Sequence, residues 1–437
     1  MAKQSRWIFA LAAAILPSTS LSAQNLSGDW QGTIKTPSSP SGLRLVLHIT
    51  KGENGGWKGT FYSIDERPEG LDGVPISTLA LQGSDFKFSL SGLHVNYDGK
   101  LSDDGNSIDG TWSGREAAPL DFKRATKATA WKYQLPQHIV SFVTVDKDVK
   151  VEVLDYGGSG RALIFLPGLG ATAHVFDQFA PKFTANYHVY GITPRGFGES
   201  SAPAPANGNY SADRLGDDVL AVMDALKLER PVLLGHSVAG EELSSVGSRH
   251  PEKVAGLIYL DAGYPYAFYD RSHGNFTIDA IALRKKLENM MIGGGQSPEE
   301  LVQELLNTDL PQIENDLREE RKQILVRPPP SKGQQPKAPP IQAAIIEGER
   351  KFTAIDVPVL AFFADPHDPG QAFKNDAAAR ARLVAWDKER MEALIQGFER
   401  GIPQARVVRL PNADHFVIDT NGQDVLREMN SFLATLH

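Results

Sequence analysis

The chain has 437 residues, of which 41% are hydrophobic and 22% charged, with a formal net charge of −8. That length suits two domains of ordinary size, and the acidic balance argues against nucleic-acid or anionic-membrane partners, both of which select a basic face. No cysteine is present, which excludes disulfides, thiolate metal sites and cysteine nucleophiles.

The first residues read as an export signal. Lys3 and Arg6 form a positive start, Trp7 to Leu16 an apolar core, and Pro17 breaks the segment ahead of Leu21-Ser22-Ala23. A small residue closing such a stretch is a cleavage site, so residues 1–23 are expected to be a signal peptide and the protein to be periplasmic or secreted. The apolar core is shorter than the roughly 20 residues that cross a bilayer. No later segment is long enough either, so no membrane span is expected.

Residues 25–125 read as an all-β domain. Leu43–Ile49 and Phe86–Leu90 alternate apolar and polar residues as half-buried strands do. Turn signals recur at Glu53-Asn54-Gly55-Gly56, Asp72-Gly73, Asp98-Gly99 and Asp103-Asp104-Gly105-Asn106. A Trp-x-Gly phrase occurs at Trp30, Trp57 and Trp112 and is expected at strand starts, with Trp plugging a barrel end. The segment resembles calycin-type barrels. A core filled by side chains and an accessory role are expected of it, with binding of an apolar ligand as the alternative.

A linker over residues 126–138 leads into a different texture. Strand patterns at Ile139–Val145, Val149–Tyr156, Ala162–Leu166, His188–Ile192, Val232–Leu234, Ala255–Leu260, Val357–Ala364 and Ala405–Leu410 alternate with helical ones. The helical stretches are Ala212–Leu226, Glu241–Ser248, Arg380–Arg400 and Val425–Leu436. Strands separated by helices make a mostly parallel sheet covered on both faces, an α/β architecture. Between Leu260 and Val357 the alternation breaks. A helical stretch, Pro298–Leu325, and the proline-rich run Arg327–Pro336 there are expected to form a cap at about residues 264–350.

Serine chemistry needs a base, an acid that orients the base, and donors for an oxyanion. Gly235-His236-Ser237-Val238-Ala239-Gly240 follows the apolar strand Pro231–Leu234 and precedes a helix. Small residues two positions either side of Ser237 suit a turn too tight for larger ones. On these residues the chain resembles the α/β-hydrolase superfamily from about Ile139 to His437. The resemblance implies Ser237 as nucleophile and, from Leu166-Pro167-Gly168-Leu169-Gly170, the backbone amides of Leu169 and Val238 as oxyanion donors. Pro167 stands where the family usually has histidine. Pro194–Ser200 is similar to the family's loop after the fourth strand and reads as structural. His415, in the loop after Arg406–Leu410, matches the family base; His236, His174 and His250 compete poorly.

The acid is open. The loop Asp365-Pro366-His367-Asp368-Pro369 follows Val357–Ala364 and holds two carboxylates. A Gly-x-x-Asp spacing would put the acid at His367, one residue short of Asp368. Asp368 is preferred, ahead of Asp365 and then of Asp261 at the end of the sixth strand.

Neither metal nor cofactor is expected. His367 with Asp365 and Asp368 is a lone short cluster, and no phosphate-cradling glycine loop follows a strand. Serine rather than aspartate at the turn argues against epoxide hydrolase and dehalogenase chemistry. The expected function is hydrolysis of carboxylic esters or lactones through an acyl-enzyme, on a small-molecule substrate whose apolar or aromatic character Tyr264-Pro265-Tyr266-Ala267-Phe268-Tyr269 would match. Peptide-terminus hydrolysis, with Glu241 and Glu242 holding an amine, and carbon–carbon hydrolysis are alternatives on the same turn. A non-catalytic binding protein centred on the β domain is the alternative of another kind.

Overall fold

The computed structural model describes residues 25–36, 39–52, 56–64, 73–90, 95–114, 117–131, 138–206, 208–292, 297–326, 338–370, 373 and 376–436. The expected signal peptide, the turn residues Glu53–Gly55 and Asp72, and the run Arg327–Pro336 lie outside them. The chain divides between Lys132 and Tyr133 into two compact units.

Alternation builds the first unit. Its strands are β1 (Gly28–Thr36), β2 (Ser39–Lys51), β3 (Trp57–Ser63), β4 (Val74–Pro75), β5 (Thr78–Gln82), β6 (Asp85–Leu90), β7 (Val95–Leu101), β8 (Ser107–Ser113), β9 (Ala117–Pro119) and β10 (Phe122–Arg124). All pair antiparallel, in the order β4-β3-β2-β1-β10-β8-β7-β6-β5 with β9 beside β8. The two edge strands are separated by only Ile76 and Ser77. Ile76 N donates to Gly59 O on β3 (2.9 Å) and Ser77 N to Ser89 O on β6 (2.8 Å), so the sheet curls until its edges almost meet. Trp30, Leu47, Phe86, Phe88, Tyr97 and Phe122 fill the inside.

Two sequence expectations change here. Asp98-Gly99 is not a turn but part of β7, where Gly99 faces Gly110 of β8. The Tyr97 ring lies across both glycines and leaves no room for a Cβ on either, and its hydroxyl donates to Leu120 O (2.8 Å). Trp112 ends β8 rather than starting a strand. Residues 126–131, read as linker, pack on the first unit: Gln31 Nε2 donates to Thr129 O and Gln31 Oε1 accepts from Trp131 N.

The second unit is built on β11 (Ile139–Asp146), β12 (Val149–Gly157), β13 (Ala162–Leu166), β14 (His188–Thr193), β15 (Val232–His236), β16 (Gly256–Leu260), β17 (Val359–Ala364) and β18 (Ala405–Leu410). Their order is β11-β12-β14-β13-β15-β16-β17-β18; β12 runs antiparallel to both neighbours and the rest are parallel. Every residue of β13, β15, β16 and β17 is buried, as central strands covered on both faces must be. Successive residues point to opposite faces. Leu233, Tyr259 and Phe363 pack with Val219, Leu243 and Phe398, while Leu234, Ile258 and Phe362 pack with Phe176, Val425 and Met429.

The helices are α1 (Ala212–Ala225), α2 (Gly240–Arg249), α3 (Phe276–Ile292), α4 (Pro298–Glu304), α5 (Leu310–Val326), α6 (Pro340–Gly348), α7 (Ala377–Gly401), α8 (Val417–Thr420) and α9 (Gly422–Leu433). Between β16 and β17 lie α3 to α6, with a π turn at Leu305–Asp309 interrupting the stretch expected as one helix. Helix α3 escapes sequence reading because its apolar residues do not line one stripe. Helix α6 starts on a proline, which its first turn tolerates.

The loop after β14 is pinned by a buried ion pair. Arg195, fully buried, donates through Nε and Nη2 to both oxygens of Asp218 on α1 (2.6 and 2.5 Å). Asp218→Ala is expected to cost about 3–5 kcal/mol in denaturant unfolding, because the guanidinium stays buried without a counter-charge. Arg195→Lys should recover little, since an ammonium cannot make the two-pronged contact.

Candidate active site

Strand β15 ends at His236 and α2 begins at Gly240, leaving a single 3-10 turn, Ser237–Ala239, between them. Ser237 takes φ +53°, a left-handed conformation that costs an L-residue and marks a turn held by its surroundings. The backbone after β13 presses on it. A Cβ at Gly168 would lie 3.0 Å from Ser237 Cβ and 2.9 Å from His236 Nδ1, so only glycine brings the segment Gly168-Leu169 this close to the serine.

Ser237 Oγ lies 2.9 Å from His415 Nε2, and His415 Nδ1 lies 2.6 Å from Asp261 Oδ2. The structure thus brings together the expected nucleophile and base, but not the preferred acid. Asp368 is half exposed; its Oδ1 accepts from Gly370 N (3.0 Å) and Arg380 Nη2 (3.4 Å). Asp365 pairs with Arg409 (3.2 Å) on the outer strand β18. Asp261, third in the sequence ranking, is the carboxylate that meets His415. It directly follows β16, the neighbour of β17, so the loops after both strands open on the same end of the sheet.

Asp261 is fully buried and heavily bonded. Oδ1 accepts from Ala364 N (3.0 Å), and Oδ2 accepts from Tyr264 O–H (3.0 Å) and His367 Nε2 (2.8 Å) as well as from His415. Burial raises its proton affinity, but the bonds from His367 and His415 outweigh that and hold the carboxyl well below the usual range. His367 occupies the position to which the Gly-x-x-Asp spacing pointed. It bridges Asp261 and Asp387, with Nδ1 2.9 Å from Asp387 Oδ2. Burial lowers its pKa, yet the two carboxylates raise it to about 9. Sequence reading treated His367 only as a weak metal ligand; its signal was the coincidence of that spacing with a histidine.

His236 faces away from the hydroxyl. Its Nε2 donates to His415 O (3.1 Å), and its ring lies 4.0 Å from that of Phe416. Burial, then the neighbouring His415, lower its pKa to about 4, so it stays neutral and holds the loop that carries the base. Val238 follows Ser237 directly, and Leu169 follows Gly168, whose backbone presses on the serine. Val238 packs on the cluster of Tyr210, Leu215 and Ile345, the last of them on α6, which brings that helix to this side of the serine. Tyr264 and Tyr266 cover another side, with Tyr264 6.2 Å from the His415 ring and 5.7 Å from Tyr266.

Glu241 and Glu242 are buried. Burial first, then nearby carboxylates, raise both, Glu242 to about 8. Both shifts work against the charged carboxylate that would hold an amine.

A family model of the alpha/beta hydrolase fold matches residues 161–320. The mostly parallel sheet with helices between its strands fits that fold. The chain carries an α/β-hydrolase domain. Curated relatives of the domain are hydrolases of several kinds. Fluoroacetate dehalogenase of Burkholderia sp is 34% identical over 116 residues, 26% of this chain and 38% of that protein. The 2-(acetamidomethylene)succinate hydrolase of Mesorhizobium japonicum is 23% identical over 278 residues, 63% of this chain and 89% of that one. The crystal structure of an E-2-(acetamidomethylene)succinate hydrolase, 20% identical, covers 68% of this chain and 100% of its own with a TM-score of 0.43. The chain spans 31% to 46% of the length of the first four curated relatives it matches.

The charged His367 gives the site a pH signature. Its folded pKa of about 9 exceeds the ordinary 6.5, so its contribution to stability is complete below pH 6.5 and is lost as pH rises through about 9. The melting-temperature difference between wild type and His367→Gln should therefore shrink steadily across that window. A difference independent of pH would show that His367 is not the charged partner of Asp261 and Asp387.

Proposed function

We propose that the domain is a serine hydrolase that cleaves carboxylic esters or lactones through an acyl-enzyme. The observation that carries this reading is the unbroken line from Ser237 Oγ through His415 to Asp261. Ser237 Oγ attacks the acyl carbon while His415 Nε2 takes its proton. The amides of Leu169 and Val238 receive the oxyanion, helped by the amino end of α2. His415 then gives its proton to the leaving alkoxide, and water repeats the sequence on the acyl-enzyme. Asp261 holds His415 in the tautomer with Nδ1 protonated and stabilises the imidazolium.

Tyr264, Tyr266 and the α6 side chains beside Val238 support an apolar or aromatic substrate group. The relatives' names include a fluoroacetate dehalogenase, a 2-(acetamidomethylene)succinate hydrolase and a 3-oxoadipate enol-lactonase, so they favour no single bond. Lys3, Arg6 and the apolar residues after them support export, and among the described residues no helix is long and apolar enough to cross a membrane.

A fluorophosphonate probe should label wild type and leave Ser237→Ala unlabelled; equal labelling of both removes Ser237 as nucleophile. On a short-chain aryl ester, Asp261→Asn should lower kcat by roughly a thousand-fold or more. Asp368→Asn, a substitution on the surface, should stay within about two-fold of wild type. The reverse ranking would return the acid's role to Asp368.

A further inference from the structure

A second group of metal-binding side chains lies apart from Ser237. His138, just ahead of β11, His174 in the 3-10 turn Ala173–Phe176, and Asp177 after it each offer one ligand atom, all within 4.8 Å of one another. His138 Nδ1 is 3.2 Å from Asp177 Oδ1, and His174 Nδ1 is 3.1 Å from Asp177 Oδ2. Tetrahedral zinc, with bonds of about 2.0–2.2 Å, sets its ligand atoms roughly 3.3–3.5 Å apart, and each imidazole lies near that distance from one oxygen of Asp177, His138 from Oδ1 and His174 from Oδ2.

The surroundings are those of a metal-ligand set. Tyr156 O–H donates to Asp177 Oδ1 (2.8 Å), fixing the carboxylate. The far nitrogen of His174, Nε2, faces Glu152 Oε1 (3.6 Å), and Thr193 O–H in turn donates to Glu152 Oε2 (2.6 Å). A carboxylate behind a ligating imidazole orients the ring and strengthens it as a donor. The His138 side chain is only 9% exposed, yet its Nδ1 makes no hydrogen bond. It faces Asp177 Oδ1 at 3.2 Å. A proton on His174 would satisfy that residue's own two contacts and still leave His138 Nδ1 unbonded. In the other tight group, Asp261 with His367 and His415, both imidazoles are hydrogen-bonded to the carboxylate, whereas here His174 is bonded to Asp177 and His138 Nδ1 is not.

We propose that His138, His174 and Asp177 bind one divalent transition-metal ion of the zinc class, with Glu152 as the outer partner of His174. Two imidazoles and a carboxylate are the donors such an ion selects, whereas calcium and magnesium prefer oxygen alone. The ion would clip the start of β11 to the turn that follows the oxyanion segment, a structural role independent of the serine chemistry.

The test uses the full chain stripped with a chelator, then titrated with Zn²⁺ by calorimetry and with Co²⁺ by visible absorption. One Zn²⁺ per chain, a rise in melting temperature of several degrees, and a Co²⁺ ligand-field band are expected. His138→Ala should abolish all three while keeping the wild-type circular-dichroism spectrum, and Glu152→Gln should weaken binding about 10–100-fold. His415→Ala should bind as wild type does. If His138→Ala does not fold, His174→Gln carries the same expectation. No uptake by wild type at about 100 μM zinc, well above structural-site affinities, overturns the proposal; so does uptake unchanged in the folded His138 or His174 variant, or lost in His415→Ala instead.

Discussion

The site depends on one backbone constraint: a serine held at φ +53° between a buried strand and a helix. The conformation is costly for any side chain, and packing on every side maintains it. Gly168 lets a neighbouring strand's exit touch the serine's Cβ, and the buried β15 fixes the turn's start. The same turn sends the His236 side chain toward the loop after β18, where it takes the carbonyl of His415. Ser237 and His415, 178 residues apart, are thereby set by adjacent positions of one turn.

Much of this was legible from local patterns. Apolar runs bounded by turn residues located the eight strands of the second sheet, most sharply the four central ones, which are buried on both faces and have no polar positions to blur them. Ser237 and His415 stood out because a tight turn admits few residue types and a histidine past a terminal strand has few uses. Asp261 was ranked third for a physical reason. Which strand end supplies a carboxylate depends on side-chain direction, and β16 and β17 end side by side. The resemblance favoured the loop after the seventh strand, where Asp368 lies deepest. There, Asp368 is spent on its own loop and Asp365 on Arg409.

In the first unit, Asp98-Gly99 carried a turn signal and became strand interior. Dipeptide preferences describe what a backbone tolerates, whereas the Tyr97 ring decided what the glycine was for. The cap was legible as an interruption but not in its parts. A helix resting on a domain with only one end, as α3 does, needs no continuous apolar stripe.

Asp261 answers to two imidazoles, and this separates the fate of the fold from that of the chemistry. A lone carboxylate buried beside a catalytic histidine would be stranded if that histidine were lost, and the penalty would fall on the whole domain. Here His367, Tyr264 and the amide of Ala364 still satisfy it. A change at residue 415 would therefore leave the buried carboxylate with three partners, and the fold would outlast the loss of that imidazole.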